Sequence, residues 1–278
     1  VVGVPAVSAI LNSDDNQRIS LESTLTDYAK YALDETLMNM TGSNINPYAR
    51  SILEQYSIEK TFALGQNIKT GIQVKLTYKI NWGSKDPYGE YQEVIKSAKS
   101  FLESEEYKRA STDKEKIEKI NNYLVGTFQY DYRYFSDFPK DQLIYSAYEM
   151  INDNKKEDRP INSYPRGVCQ AYAEYGFIML REAGFKAISI SGTAGDVSHI
   201  WNVVKLQENW YHIDFTWNDP VSTGFHNGDY PEYSKIQLGA GYIMNDYLLV
   251  SDSYMEFHDH KWIPVSYNYT YPTAPKNY

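Results

Sequence analysis

Apolar residues recur every three or four positions across residues 19–40: Leu21, Leu25, Tyr28, Ala29, Ala32, Leu33, Leu37 and Met40. That period predicts an amphipathic helix, ended by Thr41-Gly42-Ser43-Asn44. Residues 1–18 show no period and read as a lead-in. Pro47–Tyr56 predicts a short helix and Thr61–Leu64 a strand. Between Gly71 and Trp82 the period falls to two, with Ile72, Val74, Leu76, Tyr78 and Ile80 alternating against mostly polar residues, as in a strand. Gly83–Gly89 is the best linker candidate. Helices are then predicted over Tyr91–Glu103, over a segment opening on the capping box Thr112-Asp113-Lys114-Glu115 with Ile117, Ile120, Leu124 and Val125 as its apolar face, and over Gln142–Ile151. Asn152–Ser163 reads as an exposed loop. Val168–Ala183 reads as a helix stopped by Gly184. Strands follow over Phe185–Ser191, His199–Leu206 and Asn209–Trp217, then a loop-rich region with an apolar run at Tyr247–Val250 and a Pro/Tyr-rich tail after Trp262. Helices first and sequential strands later predict an α+β fold.

Composition narrows the function. With 27 Lys and Arg against 36 Asp and Glu, the 278-residue chain carries a net charge of −9. Such a chain is a poor ligand for nucleic acid or anionic membranes, and no run of about 20 apolar residues spans a bilayer. The single cysteine, Cys169, excludes an intrachain disulfide and multi-cysteine metal sites. Tyrosines number 27 against 10 phenylalanines, so most aromatic bulk carries a hydroxyl.

Cys169 follows Gly167 at a predicted helix start, where backbone N–H groups and the helix dipole favour thiolate. A lone cysteine is more often a small buried hydrophobe. Two downstream strands change that reading. If their hairpin turns at Gln207-Glu208 with Leu206 opposite Asn209, then Asp214 faces Trp201, two residues from His199. His199 and Asp214 become diagonal neighbours with Cα atoms about 7–8 Å apart. Ile200, Val204, Leu206, Tyr211, Ile213 and Phe215 form the other, core face, leaving the His–Asp pair on the opposite one. A one-residue slip would separate the pair. A thiol needs a base and the base an orienter, roles that His199 and Asp214 can fill, with the Cys169 N–H contributing to an oxyanion hole.

Three segments carry a resemblance. Gly-Val-Cys-Gln-Ala-Tyr-Ala (167–173), Ser-His-Ile-Trp-Asn (198–202) and Trp-Tyr-His-Ile-Asp-Phe-Thr-Trp-Asn-Asp-Pro (210–220) resemble the core blocks of the transglutaminase-like superfamily. Ile120–Tyr132 resembles the helix that opens that core, and Tyr247–Trp262, with His260-Lys261-Trp262, the closing segment of bacterial members. The resemblance implies a papain-like α+β core, with the nucleophile's helix packed on an antiparallel sheet, and a Cys169/His199/Asp214 triad. It implies a thioester formed from a protein or peptide amide and resolved by an amine or by water. The superfamily also holds peptidases, amidases and inactive members, so cysteine hydrolases and a non-catalytic binding module remain alternatives. The expected division is an N-terminal α/β accessory region over 1–90, matching nothing named, a catalytic core over 91–262 and a C-terminal tail over 263–278.

Around the triad, Trp201 is expected to shield the His–Asp pair, and Tyr164 and Gln170 are oxyanion or cleft candidates; Asn202 reads as structural. Gly192–Ser198 lacks the lysine and spacing of a phosphate loop and reads as a flexible cleft wall. His258-Asp259-His260 supplies at best half a metal site, His212 and His226 are not placed by sequence, and Asn152–Asp158 lacks the central Gly and final Glu of an EF-hand. No metal or cofactor is expected. Asn39 and Asn268 sit in glycosylation patterns that matter only in a eukaryotic secretory setting. The expected partner is a protein or peptide substrate, with cell-surface or cell-wall proteins as candidates, and neither nucleic acid nor a membrane span. A secreted or surface location fits the missing initial Met and the resemblance; a disulfide-free acidic chain fits the cytoplasm as well.

Overall fold

The computed structural model describes residues 53–62, 72–80, 87–135, 137, 139–153, 164–219, 244–262 and 271–278. The lead-in, the helix expected over 19–40, the 83–86 portion of the linker, most of the loop 152–163, His226 and both glycosylation patterns lie outside them. The chain divides into two compact units, Val1–Gln92 with Val265–Thr270, and Glu93–Pro264 with Tyr271–Tyr278.

In the first unit, β1 (Leu53–Phe62) pairs antiparallel with β2 (Ile72–Ile80), Tyr56 opposite Tyr78 and Phe62 opposite Ile72. The helix expected over 47–56 is therefore corrected at its C-terminal end, where residues 53–56 are strand. Ile58, Thr61 and aromatic Tyr56 and Phe62 suit a paired strand, and cross-strand pairing outweighs local helix preference.

The helix α1 (Pro87–Leu102) begins four residues before expectation and belongs to the second unit from Glu93 on. Pro87 takes the first helical position, where its missing N–H costs nothing, so the end of the expected linker is helix. After α2 (Glu105–Lys108), α3 (Asp113–Thr127) opens on the expected capping box: Thr112 Oγ1 accepts the Glu115 N–H, and Glu115 Oε2 accepts the Thr112 N–H. Hydrogen bonds from Ser111 and Thr112 hold the Glu115 carboxyl down at about 2. Ile117, Ile120, Leu124 and Val125 are fully buried. The helix expected over Gln142–Ile151 is only α4 (Ala147–Asn152), capped by Ser146 and preceded by a 3-10 turn at Lys140–Gln142. Asp153 is another correction: placed in an exposed loop by its polar surroundings, it is buried and paired with Arg166.

β3 (Gln129–Tyr130) and β4 (Arg166–Gly167) pair in parallel and lead into α5 (Cys169–Glu182). Every residue from Ala171 to Leu180 is buried, as a helix enclosed on all sides requires. Gly184, at φ +92°, ends the helix. Among the described residues the main sheet has the order β8-β7-β6-β5-β9, antiparallel throughout, from β5 (Lys186–Ala194), β6 (Val197–Leu206), β7 (Asn209–Ile213), β8 (Leu248–Val250) and β9 (His260–Trp262). Between β8 and β9 lies α6 (Asp252–Phe257). Residues of the C-terminal segment join this unit: the Asp252 N–H donates to Ala274 O, the Ala274 N–H donates to Asp252 Oδ2, and the Tyr278 N–H donates to Leu249 O.

The β6–β7 register is the expected one, Leu206 opposite Asn209 and Asn202 opposite Ile213. The second strand is shorter than expected and stops at Ile213, because the Asp214 carboxylate accepts the N–H groups of Thr216 and Trp217 and turns the chain. The segment 192–198 is also corrected: it is the end of β5, a tight turn at Gly195 and the start of β6, not a flexible wall. At Gly192 a Cβ would stand 2.0 Å from Lys261 O and 2.9 Å from Trp201, so glycine lets β9 and the indole close over this strand.

A Cβ at Gly176 would lie 2.1 Å from the Phe215 ring, which joins α5 to the turn after β7. Gly176→Ala should therefore destabilise the unit by about 1–3 kcal/mol, although alanine is the better helix former, and Phe215→Leu in the same chain should recover part of the loss. Urea titration of the three proteins measures both effects.

Candidate active site

Cys169 opens α5 and is partly exposed. Its N-cap, Val168, offers no side-chain hydrogen bond, so no cap oxygen occupies the first-turn N–H groups beside the thiol. His199 lies on β6 and Asp214 at the exit of β7. His199 Nε2–H donates to Asp214 Oδ2 at 2.6 Å, and Cys169 lies near enough to His199 to contribute to its raised pKa. The structure thus brings Cys169, His199 and Asp214 together.

The pair is buried, where an open face was expected: His199 is 8% exposed and Asp214 0%. Burial disfavours the His199 cation, but the Asp214 charge and hydrogen bond and the neighbouring Cys169 outweigh it, raising His199 to about 10. Burial alone would likewise raise Asp214. The His199 charge, then hydrogen bonds from His199 and His260, hold it well below the usual carboxylate range.

Aromatic rings enclose the pair. Trp201 is buried and stacks on His199, with centroids 5.7 Å apart and planes 21° off parallel. Its Nε1–H donates to His212 Nδ1 at 2.9 Å. Indole can only donate, so His212 Nδ1 carries no hydrogen, and Nε2–H donates to Asp252 Oδ1 at 2.8 Å. His212 is therefore a neutral strut that fixes the Trp201 ring. Trp217 packs near His199 from the opposite side, at 6.4 Å. The turn carrying Asp214 is anchored in turn. Asn218 Oδ1 accepts the Tyr247 N–H, Asn218 Nδ2 donates to Asn121, and Asp219 Oδ2 accepts the Tyr172 hydroxyl and the Tyr130 N–H.

The remaining expected site residues differ. Gln170 Nε2 donates to Glu174 Oε1 at 3.1 Å, and Glu174 also accepts the Ala147 N–H, so this amide is engaged along its own helix. Tyr164 is half-buried at the start of the segment leading into β4. Asn202 donates to Ala173 O and Ser189 Oγ, joining β6 to α5 and β5.

His260 is the residue that sequence reasoning missed. It is fully buried, and its Nε2 lies 2.9 Å from Asp214 Oδ2. The His258-Asp259-His260 triplet was weighed only as two histidines on one strand, but His258 ends α6 and only His260 belongs to β9. The ligand atoms of His199, Asp214 and His260 lie within 4.8 Å of one another, close enough to hold an ion. Two tetrahedral zinc ligands stand about 3.3 Å apart. The N···O separations of 2.6 and 2.9 Å instead describe hydrogen bonds within the cluster.

A cysteine-bearing helix against an antiparallel sheet, with a histidine on one strand and an aspartate at the end of its neighbour, fits the papain-like α+β class. Comparison with known proteins agrees: residues 101–215 match the model of the transglutaminase-like superfamily. It is similar to the kyphoscoliosis peptidase of Mus musculus, 23% identical over 138 residues, or 45% of this chain and 19% of that protein. Among solved structures it is similar to a TGase (15% identity, TM-score 0.34, covering 84% of this chain and 59% of that one). Another is a candidate cysteine protease from Cytophaga hutchinsonii (16% identity, TM-score 0.33, covering 59% and 65%). The chain thus spans about a fifth of the curated relative and under two thirds of either structure. No helix among the described residues is long and apolar enough to cross a membrane.

The raised His199 pKa makes stability depend on pH. A histidine that titrates higher when folded stabilises the fold fully below its unfolded value of about 6.5, and that contribution is lost as pH rises through about 10. The melting temperature should fall across this window, and His199→Gln should flatten the fall. Calorimetry of both proteins from pH 6 to 10.5 checks it.

Proposed function

We propose that this chain is a cysteine acyl-transfer enzyme acting on protein or peptide amides, with Cys169 as nucleophile, His199 as acid and base, and Asp214 as orienter. The observation that carries the reading is the buried His199–Asp214 pair inside an aromatic enclosure, with Cys169 beside His199. The Cys169 proton rests on His199, and the thiolate sulfur attacks the amide carbonyl carbon. The resulting oxyanion meets the uncapped first-turn N–H groups of α5, including that of Cys169. His199 returns the proton to the departing nitrogen, the C–N bond breaks, and a thioester remains. An amine or a water then attacks the thioester, giving a new amide or a carboxylate and restoring the thiol. Asp214 holds the hydrogen on Nε2, so Nδ1 is the nitrogen that takes and returns the transferred proton.

The names of the similar proteins include a TGase and peptidases, which favours keeping hydrolysis as the second outcome of the same thioester. A secreted or cell-surface setting with surface-protein substrates belongs to this proposal.

Incubation with a labelled primary amine and a glutamine-bearing protein tests it. The wild type should incorporate label at least 100-fold faster than Cys169→Ala, in line with the general cost of losing a nucleophile. Thioester turnover that added amine never diverts would make the chain a hydrolase. Equal rates in the two proteins would remove the enzymatic reading.

A further inference from the structure

His260 lies outside the segment that matches the superfamily model, yet it touches the same carboxylate oxygen as His199. Its two ring nitrogens face groups that only accept. Nδ1 lies 2.9 Å from the main-chain oxygen of His258, and a carbonyl cannot donate. Nε2 lies 2.9 Å from Asp214 Oδ2, while Asp214 Oδ1 already accepts two backbone N–H groups. Asp214 is ionised, so neither of its oxygens has a hydrogen to give. Both contacts are hydrogen bonds only when His260 carries both hydrogens. His212 shows the contrast: it is equally buried, but a donor-only indole faces its Nδ1.

We propose that His260 is an imidazolium, and that with Cys169, His199 and Asp214 it forms a balanced quartet of two cations and two anions in which it is the positioning residue. The proposal rests on the acyl-transfer reading of Cys169, His199 and Asp214. Charge accounting favours it: with thiolate, imidazolium and carboxylate alone the buried cluster carries one uncompensated negative charge, which His260 cancels. Position does the rest. The His260 and His199 rings are 5.5 Å apart, so the second cation opposes the first and frees the His199 proton for the departing nitrogen. The same cation stabilises the thiolate beyond His199. The fold spends strain to seat it: Asp259, just before it, has φ +60°, and its carbonyl accepts the Gly195 N–H at the β5–β6 turn. The other titratable groups facing the ring are Tyr247 from the segment before β8, which burial holds protonated, and Asp259 and His258 on its own segment; His212 stands across Trp201. Trp201 and Trp217 close its remaining sides at 5.2 and 4.5 Å.

The variant that separates charge from hydrogen bonding is His260→Gln, which keeps an N–H for Asp214 and removes the cation. The rate of Cys169 alkylation by iodoacetamide is followed against pH for wild type and variant. Losing the cation weakens the thiolate and strengthens the His199 imidazolium, so both limbs of the profile should move to higher pH, by about one unit or more. A neutral His260 would leave the profile where it is, and that result overturns the proposal. Nitrogen-15 NMR of histidine-labelled wild type, with the ring assigned by its absence in the variant, reads the same question without activity or risk of misfolding. Two protonated ring nitrogens at pH 7 support the proposal, and one bare nitrogen overturns it. Failure of the acyl-transfer reading looks different: label from an amine or water never depends on Cys169, while the NMR result stands on its own.

Discussion

The buried carboxylate of Asp214 is the constraint around which the second unit is arranged. A carboxylate with no access to water is tolerable only when its lone pairs are filled. Four donors fill them, from the turn after β7 (Thr216 and Trp217), from β6 (His199) and from β9 (His260). Each requirement dictates local structure. The two backbone donors end β7 at Ile213. The two histidines require that β6 and β9 converge on one point, although β9 pairs with β5 and not with β7.

Packing makes that convergence rigid. The α5 helix is enclosed on all sides, so it cannot rotate Cys169 away from the sheet. Bare Gly176 admits Phe215, the residue after Asp214, and bare Gly192 admits Trp201 and the Lys261 carbonyl. Trp201 in turn is held by His212 and Asp252, which reaches the C-terminal segment through Ala274. The aromatic rings keep water out, and the low local dielectric deepens the His199–Asp214 attraction that burial alone would oppose.

Much of this was legible in the sequence, for identifiable reasons. The α3 capping box, the α5 start and stop and the β6–β7 register are set by local residues, and local patterns report them well. That His199 and Asp214 meet followed from the turn at Gln207-Glu208. What failed was non-local. Residues 53–56 became strand because β2 was available to pair. Asp153 was buried because Arg166 lay within reach. His260 could not be placed because its partner is 46 positions away and its neighbour, Asp259, reverses the chain. Burial of both hairpin faces was equally invisible, since Trp217, Tyr247 and Trp262 cover the pair through tertiary packing that no local pattern reports.

The late position of β9 has a consequence for how the molecule is made. Chains emerge from the ribosome N-terminus first and begin to fold as they do. The helix bearing the thiol and the β6–β7 hairpin are synthesised well before His260, and until β9 docks the Asp214 carboxylate lacks one of its four donors. A nascent chain therefore passes through a stage in which the sulfur is present but its surroundings are unfinished. Completion of the cluster coincides with closure of the sheet edge, so the Asp214 carboxylate gains its fourth donor only when β9 has docked.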